Sequence, residues 1–386
     1  MTPPPTMFDR LRPLVVVVAL LSLVALSTSS LSAQGAVPGL TPGQVARIEK
    51  LITSEMAAQG IPGVSIAIVT DLQLRWATGY GMADLENFVP ATASTNYRLA
   101  SIGKSVTATG VMQLAEAGKL DLDAPIQRYV PTFPQKKWPV TARQLLYHVA
   151  GVRTYKPGEM ESTKYFPTLT EALTMFKDDP LEFEPGTKYL YSTQGYTLLA
   201  VAIEGASGMN YYDYVQKHVF EPAGMDSTQA DRVAAIIPHR AQGYMRLKEG
   251  GELRNSGLAD TSNKAVLCST VVDLAKFAVA FLSGKLVKSE TVTEMWTVHP
   301  VTQRPKIAMG FGMGFNVSWR GSKPGEGEKE VYKAGNQQRV TGLLYMRPER
   351  KCVVALLFNL EDVGHGVLIA RQISDITLDQ APVKRP

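Results

Sequence analysis

The order of apolar and polar positions predicts a helix followed by a β-hairpin, beginning near residue 41. Thr41, Pro42 and Gln44 form a helix start, with a capping threonine, a proline in the first turn and a glutamine that completes a capping box. Apolar residues then recur at helical spacing up to Gly60, which ends the helix. The β-branched run at residues 64–69 and the alternation that follows it predict two paired strands.

The middle of the chain differs in pattern from both ends. From Ser101 to about Asp260, helical segments are separated by glycine and proline. Residues 270–281 then have the pattern of a helix, and a last amphipathic helix carries Ile369 and Ile373 on its apolar face. The strand-like runs between these two helices are residues 311–319, 330–333, 340–346 and 352–358.

Strands at both ends with helices between them indicate one sheet to which both ends of the chain contribute. We therefore predict an α/β fold, in which an antiparallel sheet built from both chain ends is flanked by helices and carries an inserted, mainly helical lobe. The predicted α/β lobe comprises residues 37–103 and 265–386, and the predicted helical lobe comprises residues 104–264.

Residues 1–33 have the pattern of a secretory signal peptide. Two arginines precede an unbroken apolar segment, residues 14–26, which is followed by small residues. We expect cleavage between Ser32 and Ala36, and export to the periplasm or the extracellular space. An uncleaved membrane anchor is the alternative, although the apolar segment is shorter than the ~20 residues that span a bilayer.

Composition and charge argue against two classes of function. The 386 residues, 45% of them hydrophobic, are enough for a large core. Lysine plus arginine exceeds aspartate plus glutamate by 40 − 35 = 5, and no basic run exists to follow a phosphate backbone, so we expect no nucleic-acid partner. The 5 histidines are scattered singly, without the spacing of metal ligands, so we expect no metal site.

The two cysteines, Cys268 and Cys352, leave the redox state open. Export would permit a disulfide between them, but two buried free thiols fit the sequence equally well. Neither cysteine has a neighbouring histidine in the sequence that would indicate thiol catalysis.

The first motif that carries chemistry is Ser101-Ile102-Gly103-Lys104, at the start of a predicted helix. Residues three apart on a helix share a face, so the Lys104 amine can approach the Ser101 hydroxyl. Free N–H groups at the helix N-terminus favour negative charge near the serine. A lysine whose pKa lies well below ~10.4 could remove the serine proton. A capping serine with a surface lysine is the alternative, because Ser-x-x-Lys is a common string.

The second motif, Tyr191-Ser192-Thr193, follows a Pro-Gly turn and precedes a helix predicted from about Thr197. The Tyr191 hydroxyl could relay a proton if neighbouring cations lower its pKa from ~10. Tyr191 and Tyr196 could instead be packing aromatics, and this is the interpretation that we favour for Tyr196.

The third motif, Lys333-Ala334-Gly335-Asn336, lies between two strand-like runs. Lys333 could hold a substrate carboxylate as a point charge. A small residue and Gly335 would let the backbone of a substrate approach the strand edge closely. On its own, Lys-x-Gly is too common to indicate a function.

Together, the three motifs resemble the signature of the serine β-lactamase and penicillin-binding-protein superfamily, which is Ser-x-x-Lys, Tyr-x-Asn or Ser-x-Asn, and Lys/His-x-Gly. The likeness covers roughly residues 41–378, and residues 190–199 look most similar to mitochondrial β-lactamase-like serine proteases of animals and their bacterial relatives. Further segments resemble landmarks of the class C β-lactamase-like branch, namely residues 60–65, 79–84, 97–101, 145–151 and 220–225.

The resemblance implies a β-lactamase/transpeptidase-like fold and a serine hydrolase that acts on an amide or ester, in a small molecule or a peptide, without metal or organic cofactor. The catalytic residues that it implies are Ser101 as nucleophile, Lys104 as its base and Tyr191 as proton shuttle. The substrate-binding residues that it implies are Lys333, Thr193, Gly335 and Asn336. The backbone N–H groups of Ser101 and Asn336 would form the oxyanion hole.

Two positions depart from the pattern of the superfamily. Thr193 stands where β-lactamases usually have asparagine, and Ala334 stands where they usually have threonine or serine. Because a hydroxyl offers one donor where an amide offers two, we expect peptidase or esterase activity rather than efficient β-lactam hydrolysis. A non-catalytic sensing or structural module of the same fold is the alternative function. His148 is expected to be structural, and the oligomeric state stays open.

Overall fold

The computed structural model describes residues 39–247, 251–257 and 260–380, which form thirteen strands and ten α-helices. The strands are β1 Gly63–Thr70, β2 Gln73–Asp84, β3 Val89–Pro90, β4 Tyr97–Arg98, β5 Gln229–Ala230, β6 Tyr244–Arg246, β7 Leu253–Asn255, β8 Leu267–Ser269, β9 Met309–Phe311, β10 Asn316–Trp319, β11 Lys329–Gln337, β12 Val340–Arg347 and β13 Cys352–Phe358. The helices are α1 Pro42–Gln59, α2 Gly103–Glu116, α3 Ala142–Leu146, α4 Leu169–Ala172, α5 Thr193–Ser207, α6 Tyr211–Val215, α7 Glu221–Ala223, α8 Val271–Leu282, α9 Ser289–Met295 and α10 Gly366–Thr377.

An eight-stranded antiparallel sheet joins the two ends of the described chain. Its order is β3-β2-β1-β13-β12-β11-β10-β9, so β1 pairs directly with β13, with Ala67 opposite Ala355. Two small sheets, β4-β8-β5 and β6-β7, complete the strands. The predicted antiparallel sheet built from both ends of the chain and flanked by helices is therefore confirmed.

The central sheet has a separate apolar core on each face. Ile66 and Ile68 of β1 join the core beneath α1 and α10, whereas Ala67 and Val69 join the core beneath α2, α5 and α8. Successive strand residues point to opposite faces, so a strand covered on both sides is apolar at nearly every position. This explains why residues 64–69 form an almost continuous apolar run.

The predicted start of the first helix is confirmed in detail. Thr41 accepts a hydrogen bond from the Gln44 N–H at 3.2 Å, and the Gln44 side chain accepts one from the Thr41 N–H at 2.9 Å. Gly60 ends α1 with a φ of 58°, a left-handed conformation that suits glycine.

Three predicted boundaries were wrong. The apolar run at 311–319 is not one strand but parts of β9 and β10, because the chain reverses at Gly314, whose φ is 81°. Helix α5 begins at Thr193 rather than near Thr197, since Ser192 caps it. Strand β11 continues through Lys333 to Gln337, because it pairs with β12 over its whole length.

The described part of the chain also bears on the cysteines and on the N-terminal expectations. Cys268 and Cys352 are both buried and free, so of the two alternatives the structure has two free thiols rather than a disulfide. The predicted signal peptide and its cleavage site lie outside the described residues. Within residues 39–247, 251–257 and 260–380, no helix has the length and apolarity that crossing a membrane requires. The division into two lobes stays a prediction.

Candidate active site

Ser101 lies where the sheet meets the first long helix of the interior. It is the middle residue of a 3-10 turn, Ala100–Ile102, which leads directly into α2. Ala100 has a φ of 46°, in the left-handed region that residues other than glycine seldom adopt. Such strained backbone is typical of functional sites, and here it presents a partly exposed hydroxyl at the start of a helix.

The Lys104 side chain is buried beside this hydroxyl. Only 6% of Lys104 is exposed, and its Nζ donates to Ser101 Oγ at 3.1 Å and to Thr193 Oγ1 at 3.1 Å. The Ser-x-x-Lys spacing thus brings the two groups into hydrogen-bond contact, as the sequence predicts.

The environment of Lys104 favours its neutral form. Burial is the largest cause, and the charges of Lys333 and Lys264 add to it, so that the pKa of Lys104 lies well below the usual value for lysine. A neutral amine in contact with a serine hydroxyl can accept the serine proton.

Tyr191 lies against both lysines of the motifs. It comes directly before α5, where Ser192 Oγ accepts from the Gly195 N–H at 2.9 Å and thereby caps the helix. The centroid of the Tyr191 ring is 5.0 Å from Lys104 Nζ and 4.9 Å from Lys333 Nζ. The cap therefore fixes the backbone that carries the phenol beside two amines.

The sequence analysis made the proton relay by Tyr191 depend on a lowered pKa. This condition is not met, because the pKa of Tyr191 is raised. Burial raises the pKa of Tyr191 to about 12, although a hydrogen bond with Ser101 opposes this change. The phenol consequently keeps its proton at neutral pH. Tyr191 can donate a hydrogen bond or pass a proton on, but it does not supply a phenolate base.

Lys333 and Gly335 lie on the face of β11 that is turned toward Ser101. Lys333 is 2% exposed, and burial lowers its pKa to about 7. A Cβ at Gly335 would lie 2.4 Å from the Leu99 carbonyl oxygen and 3.1 Å from the Ser101 nitrogen. The sequence suggested that this glycine admits a substrate backbone. In the structure it admits the protein's own turn at Ser101.

Asn336 holds a neighbouring loop with its side chain. Its Nδ2 donates to Asp362 Oδ1, and its Oδ1 accepts from the Asp362 N–H at 3.3 Å and from the Thr341 hydroxyl at 3.4 Å. Since the side chain is engaged with this loop, the backbone is the part of Asn336 that can serve the cavity above Ser101.

Thr193 retains part of the function expected of an asparagine at its position. Its hydroxyl oxygen accepts from Lys104 and also forms a hydrogen bond with Tyr155, which opposes the effect of burial on the pKa of that phenol. One hydroxyl is thus shared between the lysine and a tyrosine of the cavity wall.

A cavity of about 230 Å³ lies over Ser101, and the walls include residues that sequence reasoning missed. Tyr155, Met160 and Lys264 contribute to these walls, together with the predicted Lys104 and Tyr191. The only sequence signal for Lys264 is a lysine shortly before an apolar strand, which does not indicate a site. These residues come from distant parts of the chain, and packing alone brings them together.

His148 and Tyr196 pack behind Tyr191. His148 Nδ1 accepts from the Ser192 N–H at 3.2 Å, and its ring lies 4.3 Å from that of Tyr191. Burial lowers the pKa of His148 well below its usual value. Tyr196 donates to the Leu146 carbonyl at 2.8 Å. Both residues thus have partners in the protein interior.

Among the described residues, no group of three or more His, Cys, Asp or Glu is arranged to hold a metal ion.

Comparison with known proteins gives consistent matches in sequence and structure. A model of the β-lactamase family matches residues 48–377. The mitochondrial serine β-lactamase-like protein of Homo sapiens is 31% identical over an alignment that covers 79% of this chain and 74% of that protein. The penicillin-binding protein homologue of Pyrococcus abyssi, an octamer, has a TM-score of 0.75 and 29% identity, covering 88% of this chain and 78% of that one.

An enzyme structure also matches over most of its length. The D-amino acid amidase of Ochrobactrum anthropi, solved with L-phenylalanine amide, has a TM-score of 0.71 and 25% identity, and the match covers 87% of this chain and 98% of that one. The family match extends over far more than half of the sequence, and it includes all three motifs around Ser101. The chain therefore belongs to the β-lactamase family and is a hydrolase of the serine type.

Proposed function

We propose that this enzyme hydrolyses an amide or ester through an acyl-enzyme formed on Ser101. The observation that carries this proposal is the 3.1 Å contact between Ser101 Oγ and Lys104 Nζ, made by a buried lysine whose pKa is strongly lowered. A neutral amine in that position is a competent base for the serine proton.

Acylation forms the bond between Ser101 Oγ and the acyl carbon, breaks the bond between that carbon and the leaving group, and passes the serine proton on to the leaving group. Lys104 accepts the proton from Ser101 Oγ while this oxygen attacks the substrate carbonyl carbon, giving a tetrahedral oxyanion. The N–H groups of Ser101 and Asn336 stabilise the oxyanion. Donors in such a position lower the activation barrier by several kcal/mol. The intermediate collapses as the amine or alcohol leaves with a proton passed from Lys104 through the Tyr191 hydroxyl.

Deacylation reverses the direction of proton flow. Water attacks the acyl carbon and gives its proton through Tyr191 to Lys104. Lys104 then returns a proton to Ser101 Oγ as the bond between this oxygen and the acyl carbon breaks and the carboxylic acid departs. Tyr191 serves as a relay because its pKa of about 12 keeps it protonated between transfers. Lys333, whose pKa is about 7, lies 4.9 Å from the centroid of the Tyr191 ring and supplies positive charge at this point in its protonated form.

The substrate is a small molecule or peptide, and peptidase or esterase activity exceeds β-lactam hydrolysis. Thr193 and Ala334 supply fewer donors than the residues usual in β-lactamases, and Thr193 already serves Lys104 and Tyr155. Short-chain p-nitrophenyl esters should be hydrolysed faster than nitrocefin. The opposite ranking would favour a β-lactamase.

A non-catalytic sensing or structural module is the second candidate function, because both departures fall in the substrate-binding motifs. A fluorophosphonate probe separates the two candidates. We expect it to label the folded wild-type protein at Ser101 and not to label Ser101→Ala. Absence of labelling in wild-type protein with a normal melting transition would favour the module.

We further propose that residues 1–33 direct export and are removed. The two arginines, the apolar segment and the small residues after it support this proposal. N-terminal sequencing of the protein from separated cell fractions tests it. A mature N-terminus between Ser32 and Ala36 in the exported fraction is expected, and an intact N-terminus in the cytosol would contradict it.

A further inference from the structure

Lys264 is a second buried lysine in the wall of the cavity, and beyond its charge, which helps to lower the pKa of Lys104, it has no part in the reaction described above. It precedes β8 and is 5% exposed, and it lines the same cavity as Ser101 and Lys104. Its Nζ donates to the Met160 carbonyl oxygen at 3.4 Å and lies 5.0 Å from the centroid of the Tyr155 ring. One long hydrogen bond and one ring contact leave most of the donor capacity of an ammonium group unused.

Lys264 has no carboxylate at ion-pair distance in the part of the chain that the structure describes. Asp231, Glu161 and Asp260 act on it electrostatically from farther away, and Arg98 opposes them. Asp231 is already paired with Arg98 at 2.9 Å. A buried ammonium is costly unless it is paired, so a lysine retained in this state at a cavity wall is a candidate for ligand binding.

The charge of the cavity is one-sided. The described residues that line it include Lys104 and Lys264 but no aspartate or glutamate. Lys333 adds a third buried amine nearby, 4.9 Å from the centroid of the Tyr191 ring. Since no acidic side chain of the described lining offsets these charges, a cavity of this kind attracts anions.

We propose that Lys264 binds a carboxylate of the substrate, so that the enzyme prefers amides or esters that carry an anionic group near the scissile bond. This proposal rests on the hydrolase function proposed above. The carboxylate completes the unused hydrogen bonds of the Lys264 ammonium group, while Ser101 attacks a carbonyl of the same substrate in the same cavity. Lys264 is thus a specificity-determining residue, separate from the Lys333 motif.

A matched pair of esters tests the preference. We would measure kcat/KM for p-nitrophenyl hydrogen glutarate and for its neutral methyl ester, and repeat the comparison with a carboxylate in the leaving group, using p-hydroxybenzoate esters. The two arms distinguish a carboxylate in the acyl part from one in the leaving group. We expect wild-type enzyme to prefer the anionic member of at least one pair.

The variants are Lys264→Met, Lys264→Arg and, as a control, Lys50→Met, which removes a charge from the exposed surface of α1. Lys264→Met should lower the ratio of anionic to neutral kcat/KM by about tenfold to a hundredfold, the usual effect of losing a hydrogen bond to a charged group. Lys264→Arg should retain part of the preference, and Lys50→Met should leave the ratio as in wild type. An unchanged ratio in Lys264→Met with a normal melting transition would overturn the proposal.

A binding measurement keeps this test independent of catalysis. Calorimetric titration of Ser101→Ala with monomethyl glutarate should show binding that is lost when Lys264→Met is added, whereas dimethyl glutarate should bind equally weakly to both. If neither ester is hydrolysed in a Ser101-dependent way, the hydrolase function fails, and the titration still decides whether Lys264 holds a carboxylate. Equal binding of the monoanion with and without Lys264 would refute the site.

Discussion

Lys104 and Lys333 both have their amines about 5 Å from the centroid of the Tyr191 ring, at 5.0 and 4.9 Å, and their protonation states are linked. The charge of Lys333 is one cause of the lowered pKa of Lys104, after burial. Lys333 itself has a pKa of about 7 because it is buried. The protonation state of Lys333 therefore affects the pKa of Lys104, and the reactive state is the one in which Lys104 is neutral.

The pH dependence of Ser101 acylation should reveal this link. Acylation requires neutral Lys104, so its rate should rise with pH through the pKa of Lys104 and then level off. Lys333→Met removes a cation that favours the neutral amine, so the pKa of Lys104 should rise and the ascending limb should move to higher pH. The measurement is the pH profile of inactivation by a fluorophosphonate, with Lys50→Met as control. A limb that stays in place or moves to lower pH would contradict the link.

At the scale of elements, the start of α5 positions two site residues at once. Ser192 accepts from the Gly195 N–H at 2.9 Å and donates to the Arg153 carbonyl at 2.7 Å, and it stands between Tyr191 and Thr193. The cap thus couples helix stability to the geometry around Lys104.

Ser192→Ala should therefore lower both stability and activity. Loss of an N-cap costs about 1 kcal/mol, and the unpaired Arg153 carbonyl adds to this. We expect a melting temperature lower by several degrees and a reduced kcat, measured by thermal unfolding and ester hydrolysis. Thr168→Ala is the matched control. Thr168 caps α4 by accepting from the Glu171 N–H at 3.1 Å, so its loss should affect stability alone. Equal kcat in both variants would argue against the coupling.

Local patterns predicted some elements well and others poorly, for physical reasons. The Thr41 capping box and the Ser101–Lys104 spacing depend on contacts within one helical turn, so the sequence reveals them. The reversal at Gly314 was hidden because the residues around it are apolar and buried on both sides. Lys264 could not be assigned to the site, because only long-range packing brings it to the cavity of Ser101.

For the whole molecule, the buried amines reduce stability at neutral pH. The pKa of Lys333 is about 7 in the folded state and near 10.4 in the unfolded chain. Between these values the unfolded chain binds more protons, so the free energy of unfolding increases as the pH rises. At pH 7 the free energy of unfolding is thus lower than it would be with a neutral side chain at position 333.

Lys333→Met should accordingly raise the melting temperature at pH 7 by several degrees, and this advantage should shrink as the pH approaches 10. Thermal unfolding of both proteins across this range provides the measurement, with Lys50→Met as the exposed-lysine control. A variant that is less stable than wild type at pH 7, or an advantage that grows with pH, would be inconsistent with a buried amine that loses its proton on folding.

The most direct test of the account is the rate at which Ser101 is acylated when its base is removed. Intact-mass spectrometry would follow formation of the fluorophosphonate adduct in wild-type protein and in Lys104→Met, and peptide mapping would locate it. We predict an adduct on Ser101 that forms at least about 100-fold more slowly in Lys104→Met, the usual effect of losing a general base. Equal rates in the two proteins, or an adduct on a residue other than Ser101, would contradict the account.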